Sequence, residues 1–131
     1  MRRSSTTALA DRLAEYTAVV EIGVGRRPDL AAALAADGTA VTATDVEPRE
    51  TPPDVTFVRD DVTDPTVSIY ADAEALVARN LPPELQRPAA DLADRVDADF
   101  LFTTLGGDPA TVPVRRETLP GETLFVYRGI P

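Results

Sequence analysis

The stretch Val19-Val20-Glu21-Ile22-Gly23-Val24-Gly25-Arg26-Arg27-Pro28-Asp29 decides the fold of this chain. Its apolar opening reads as a buried strand, and the two glycines make a short turn that lets backbone approach a ligand closely. Arg27-Pro28-Asp29 then opens a helix, with Leu30, Ala33 and Leu34 on one face and Gly38 just beyond. Proline at the first turn and glycine past the last are the usual brackets of a helix. A strand that passes through a glycine turn into a helix is the first half of a βαβ unit.

Upstream, Leu9, Leu13 and Tyr16 recur at helical spacing behind Ser4-Ser5-Thr6, which offers a cap. Downstream, strands are expected at Val41-Thr42-Ala43-Thr44-Asp45, at Val55 to Val58 after the proline-rich turn Glu47 to Pro53, at Ala75 to Ala78 and at Phe100 to Thr104. Between the last two, Leu85, Ala89, Leu92 and Val96 predict a core-facing helix that Pro88 must start or kink. Val112 to Glu117 and Thr123 to Tyr127, flanking Leu119-Pro120-Gly121-Glu122, predict a closing antiparallel hairpin. The whole reads as one α/β domain over residues 1–131, with a helix within 1–16 and the sheet and crossover helices within 17–128. Such alternation predicts a three-layer, doubly wound, mostly parallel sheet of about six or seven strands with an antiparallel end. Ligands of such sheets bind at the carboxyl ends of the strands where strand order reverses, here between the first and fourth.

The 131 residues include no Cys and no His. That excludes disulfides, thiol nucleophiles, zinc sites and imidazole chemistry. Any metal would need carboxylates alone; Asp60, Asp61 and Asp64 are the nearest group, and they are expected to be solvated, so no metal is assigned. No apolar run approaches the roughly 18 to 20 residues of a membrane span, and Met1-Arg2-Arg3-Ser4-Ser5 lacks the apolar block of a signal peptide. A soluble, cytoplasmic protein is expected. The net charge is −9, and every basic residue is Arg. An acid-rich surface without Lys reads as tuned to high salt. Its field opposes nucleic acid and anionic membranes at low ionic strength, but screening at molar salt leaves an RNA partner open.

Three features converge on the expected rim. Gly23 and Gly25 form the turn; Asp45 ends the second strand 20 residues after Gly25, where a carboxylate can accept both hydroxyls of a ribose; Asp60-Asp61 end the third strand. Arg26 and Arg27 sit where a helix amino end already favours anions, so their ligand is a carboxylate or phosphate unless they pair with Asp29 or Glu47. Thr103-Thr104-Leu105-Gly106-Gly107-Asp108 leaves the fifth strand on the same rim.

On these residues the chain resembles class I S-adenosylmethionine-dependent methyltransferases of Rossmann-like fold, over about residues 15 to 128. More closely, it is similar to a small uncharacterised archaeal family of such short chains, halophilic members included. The resemblance implies S-adenosylmethionine as cofactor. It places Glu21, Gly23, Gly25 and Arg27 at its methionine part, with Arg27 standing for the motif's third glycine. Asp45 matches the ribose acid and Asp61 the acid that meets the adenine amino group. Asn80-Leu81-Pro82-Pro83 is similar to the catalytic-loop motif of amino-methylating members, which makes Asn80 the catalytic candidate, although Leu81 separates it from the prolines.

Without His, Cys or Lys, activated-nucleophile hydrolysis is disfavoured, whereas methyl transfer mainly requires alignment of donor and acceptor. The leading expectation is an adenosine-cofactor protein with a small-molecule ligand, with methyl transfer as its candidate activity, on a small substrate or on one held by a second copy or a partner subunit. A non-catalytic ligand-binding or regulatory module is the alternative. An NAD(P)-dependent oxidoreductase is less favoured, because residue 28 is Pro where that fingerprint wants glycine. The charge makes a direct prediction: thermal stability rises steeply with salt as carboxylate repulsion is screened. A melting temperature flat from about 0.1 M, where the Debye length is about 10 Å, to several molar contradicts it.

Overall fold

The computed structural model describes residues 4–129; Met1 to Arg3, part of the stretch read as an N-terminal helix, lie outside the described residues. Helix α1, Ser5–Leu13, begins where Ser4 accepts the Thr7 N–H on its hydroxyl at 3.1 Å. Leu9 and Leu13 are fully buried, and Tyr16 packs into the same core just past the helix. Then follow β1 (Ala18–Ile22), α2 (Asp29–Ala36), β2 (Ala40–Asp45), β3 (Val55–Arg59), β4 (Ala75–Ala78), α3 (Pro83–Val96), β5 (Asp99–Phe102), β6 (Arg115–Leu119) and β7 (Glu122–Arg128).

The strands form one seven-stranded sheet in the order β3-β2-β1-β4-β5-β7-β6. β7 alone runs antiparallel to its neighbours, so the sheet is mostly parallel with an antiparallel end. The chain winds outward from β1 to β3, then returns to β4 on the other side of β1. The switch point therefore lies between β1 and β4, as the alternation predicts.

Side-chain alternation divides the core into two layers. Val19, Val41, Ala43, Val77, Leu101 and Val126 face α1 and α2; Val20, Leu76, Phe100, Phe102 and Phe125 face α3. Aromatic rings carry the second layer: Phe100 stacks on Phe102 at 5.1 Å and Phe102 on Phe125 at 5.4 Å. Central strands buried on both faces explain the continuous apolar runs of the sequence.

Several boundaries differ from the sequence expectation, each for a local reason. Pro28 caps α2 instead of lying in its first turn, and α3 starts at Pro83, so Pro88 falls inside it. Ala89, Ala90, Leu92 and Ala93 are buried around that proline, and their packing carries the helix past the missing N–H. β5 ends at Phe102, because Thr103 turns its hydroxyl to accept the Asn80 N–H at 3.0 Å. Val112 to Val114 lie outside the hairpin: fully buried Gln86 on α3 donates to the Pro109 carbonyl at 3.0 Å and accepts the Thr111 N–H at 2.6 Å, which pins that segment to the helix instead.

The crossover from β3 to β4 has no α-helix, only a 3-10 turn at Val67–Ile69. Asp60 organises it, accepting the buried Tyr70 hydroxyl at 2.7 Å and the Thr66 N–H at 3.1 Å. A hollow of ≈ 410 Å³ opens beside it over the first halves of β1 and β2, with Thr42, Thr56 and Ile69 among its walls.

Candidate functional site

The site is built on the carboxyl rim around the switch point. After β1 the chain folds over β2: the Gly23 and Val24 N–H groups both donate to the Thr44 carbonyl, at 2.9 and 3.0 Å. Gly23 and Gly25 have φ of +70° and +61°, a region that penalises side chains by roughly 1–2 kcal/mol. A Cβ at either position meets nothing within 4 Å, so the turn presents bare backbone to open space. That is the geometry by which a glycine turn cradles a ligand.

Glu21, in the middle of the sheet, is 1% exposed. One oxygen, Oε2, accepts from Arg79 Nε at 3.4 Å; the other, Oε1, is buried with no hydrogen-bond partner among the described residues. Arg79, which directly follows β4, spends its better hydrogen bonds elsewhere. It donates to Asp29 at 3.0 and 3.3 Å and to the Arg27 carbonyl at 2.7 Å, tying β4 to the start of α2. Burial pushes the Glu21 carboxyl up to about 7 against the opposing pull of Arg79. At Asp29 burial acts in the same upward direction, but hydrogen bonds from Arg79 and Thr6 overcome it and hold that carboxyl at about 2. Glu21, Gly23, Gly25, Arg27, Arg79 and Asn80 surround a hollow of ≈ 240 Å³.

Asp45 is buried at the end of β2, and both its oxygens are engaged: Oδ2 accepts the Gly25 N–H at 2.8 Å and Oδ1 the Glu47 N–H at 3.0 Å. Arg49 Nε lies 3.3 Å from Oδ2. Burial works to raise the Asp45 carboxyl, yet these N–H donors and Arg49 bring it below the ordinary carboxylate range. Beyond it Val46, 51% exposed, stands with Arg59, Asp60 and Asp61 around a further hollow of ≈ 540 Å³. Asp61 follows β3 and is turned on its own loop, accepting the Thr63 N–H and hydroxyl at 2.9 and 2.7 Å.

Residues 5–129 match the model of an uncharacterised protein family, UPF0146. The chain belongs to that family. A UPF0146 protein of Halobacterium salinarum is 54% identical to it over 117 residues, 88% of this chain and 91% of the relative. The fold is that of class I S-adenosylmethionine-dependent methyltransferases. A TehB-like SAM-dependent methyltransferase from Corynebacterium glutamicum aligns with a TM-score of 0.65 at 17% identity, covering 95% of this chain and 86% of its own. An RNA methyltransferase from Salinibacter ruber, in complex with S-adenosyl-L-homocysteine, aligns at 0.62 and 15%, covering 96% and 90%.

In this UPF0146 protein the rim gathers Glu21, Gly23, Gly25, Arg27 and Asn80 around one hollow, with Asp45 next to it and Asp61 on the neighbouring one. Arg27 pairs with Asp29 at 3.6 Å, the surface-acid alternative that its sequence left open. Among the described residues no three Asp or Glu gather as a metal cluster. Sequence reasoning missed Arg79, Arg49 and Val46. Each had a signal: Arg79 follows a strand directly, Val46 is an apolar residue after the strand-end acid, and Arg49 lies four residues beyond it.

The engagement of Asp45 changes what its removal does. Asp45→Asn leaves one acceptor oxygen and turns an amide N–H₂ toward a backbone donor, a loss of about 1–3 kcal/mol. Because the folded carboxyl lies below its unfolded value, this stabilisation is present above the unfolded value and fades as pH falls through the folded one. Denaturant midpoints are therefore expected to separate wild type from Asp45→Asn at neutral pH and to converge in acid. Equal midpoints at pH 7 contradict the observed bonding.

Proposed function

We propose that this chain binds S-adenosylmethionine on the carboxyl rim and transfers its methyl group to a small acceptor. The observation that carries this reading is the orphaned, buried Oε1 of Glu21 on the wall of the glycine-turn hollow. A buried carboxylate oxygen without a donor is costly, and an incoming ammonium relieves that cost. The opposite group of an amino acid, its carboxylate, suits Arg26 and Arg27 on the same hollow. A zwitterionic amino acid therefore matches this hollow better than a pyrophosphate, which supplies no cation for Glu21.

The residues farther along the rim fit the remainder of such a cofactor. Asp45 retains lone pairs for ribose hydroxyls, and half-exposed Val46 offers an apolar surface for a planar base, with Asp61 on the same hollow as acceptor for its amino group. The open space at Gly23 and Gly25 admits the ligand against bare backbone. When bound, the sulfonium supplies an already activated methyl group. The protein's part is alignment: Arg79 holds the glycine turn in place through the Arg27 carbonyl and Asp29, and Asn80, which lines the hollow, is the candidate to meet the acceptor.

Calorimetry with S-adenosylmethionine, S-adenosylhomocysteine and NAD in molar salt tests the reading. Both adenosyl amino acids are expected to bind and NAD not to. Affinity for S-adenosylmethionine rises with pH up to about 7, where Glu21 ionises, and then levels. Glu21→Gln weakens binding at least about tenfold, equivalent to 1.4 kcal/mol. The same variant is as stable as wild type or more so at pH 8: the raised Glu21 carboxyl gives stability that is present in acid and lost as pH rises to about 7. Binding of NAD in preference to S-adenosylmethionine, or unchanged affinity in Glu21→Gln, overturns it.

A further inference from the structure

Two carboxylates compete for one guanidinium beneath the glycine turn. Arg79 gives Asp29 both arms of its fork, Nη2 to Oδ1 at 3.0 Å and Nη1 to Oδ2 at 3.3 Å, while Glu21 receives only the side-on Nε at 3.4 Å. A two-point fork adds geometric specificity to the strength of a charged hydrogen bond. Asp29 wins it although Glu21 lies far deeper: the Asp29 side chain is 41% exposed and that of Glu21 1%.

What else touches Asp29 decides the outcome. The Thr6 hydroxyl, in the first turn of α1, donates to its Oδ2 at 2.8 Å, and Arg27 stands 3.6 Å from the same oxygen. Leu9 and Leu13 of α1 share a core with Leu30 and Leu34 of α2, which keeps that hydroxyl in reach of Asp29. Water also meets the outer carboxylate, so its charge costs little, whereas the inner one is shut away from solvent. Neither Asp29 nor Thr6 lines the glycine-turn hollow, and both reach Glu21 through Arg79, which does. The charged groups facing Glu21 are Arg79, Asp29 and Arg27; burial raises its carboxyl, the two arginines oppose that rise, and the charge of Asp29 adds to it.

We propose that Asp29, fixed by the Thr6 hydroxyl of α1, is the specificity-determining positioning residue of the glycine-turn hollow. By holding the Arg79 fork it leaves Glu21 for a ligand cation; without it, Arg79 turns onto Glu21 and the hollow loses its selectivity for an ammonium group. That the ammonium belongs to an adenosyl amino acid rests on the reading above. The hold of Asp29 over Glu21 rests on these residues alone.

The experiment compares two probes by calorimetry at pH 8 in molar salt: S-adenosylhomocysteine, and 5′-methylthioadenosine, which keeps the nucleoside and thioether but has no amino acid. Asp29→Asn is expected to weaken S-adenosylhomocysteine at least about tenfold and to leave 5′-methylthioadenosine unchanged. The second expectation follows because Asp45 and the Thr44 carbonyl still hold the glycine turn. In the same variant without ligand, carbon-detected NMR finds the Glu21 carboxyl titrating at least about one pH unit below wild type. Thr6→Val, remote from the hollow, moves both readings in the same direction by less, and Thr6→Ser, which keeps the hydroxyl, restores them. Equal weakening of both probes in Asp29→Asn reduces Asp29 to a support of the turn and overturns the proposal. So does a wild-type Glu21 titration in Asp29→Asn or in Thr6→Val. Failure of S-adenosylhomocysteine to bind wild type sinks the adenosyl reading alone, and the Glu21 titrations of the free variants then decide the role of Asp29.

Discussion

The rim depends on one buried carboxylate. Glu21 is hydrogen-bonded through its backbone between β2 and β4, in register with Ala43 and Val77, so its side chain has nowhere to go but the interior beneath the glycine turn. Water is excluded there, and a carboxylate in that position demands a cation or a proton. Arg79 meets the demand in part. Its shorter bonds to Asp29 and the Arg27 carbonyl hold β4 against α2 and fix the turn between them, and the carboxylate keeps one buried oxygen without a partner. The strut that shapes the hollow is also what leaves Glu21 short of a partner.

Asp45 serves the turn from the other side. Its hydrogen bond to the Gly25 N–H joins the end of β2 to the start of the α2 loop, next to the paired donation of Gly23 and Val24 to Thr44. The glycine turn is thus held by β2 through Asp45 and by β4 through Arg79, while its own residues stay open at φ values that only glycine adopts cheaply. A turn held by such contacts is preorganised.

Much of this was legible from residue order. The Glu21 to Asp29 stretch, with Asp45 ending the next strand, marks a βαβ unit with a glycine turn on its carboxyl rim, because backbone geometry there is dictated locally. The Asn80 loop was legible for the same reason: it follows a short apolar strand. What could not be read depends on tertiary partners. Asp45 looks alike as a ribose acid and as a turn staple, since the Gly25 N–H reaches it only after β1 and β2 pair. Arg79 is one arginine among thirteen until β4 lies beside β1. The missing helix between β3 and β4 and the shift of the hairpin start follow from single side chains, Asp60 and Gln86, that bond backbone away from regular structure.

The central claim is that Glu21 holds an unmet charge that a ligand ammonium completes. Carbon-detected NMR of the Glu21 carboxyl, with and without S-adenosylhomocysteine, measures it directly. In the free protein the carboxyl is expected to titrate at about 7, and in the complex at least about one pH unit lower, which is 1.36 kcal/mol of preference for the charged form. Titration in the ordinary carboxylate range when free, or at the same value once the ligand has bound, contradicts the account.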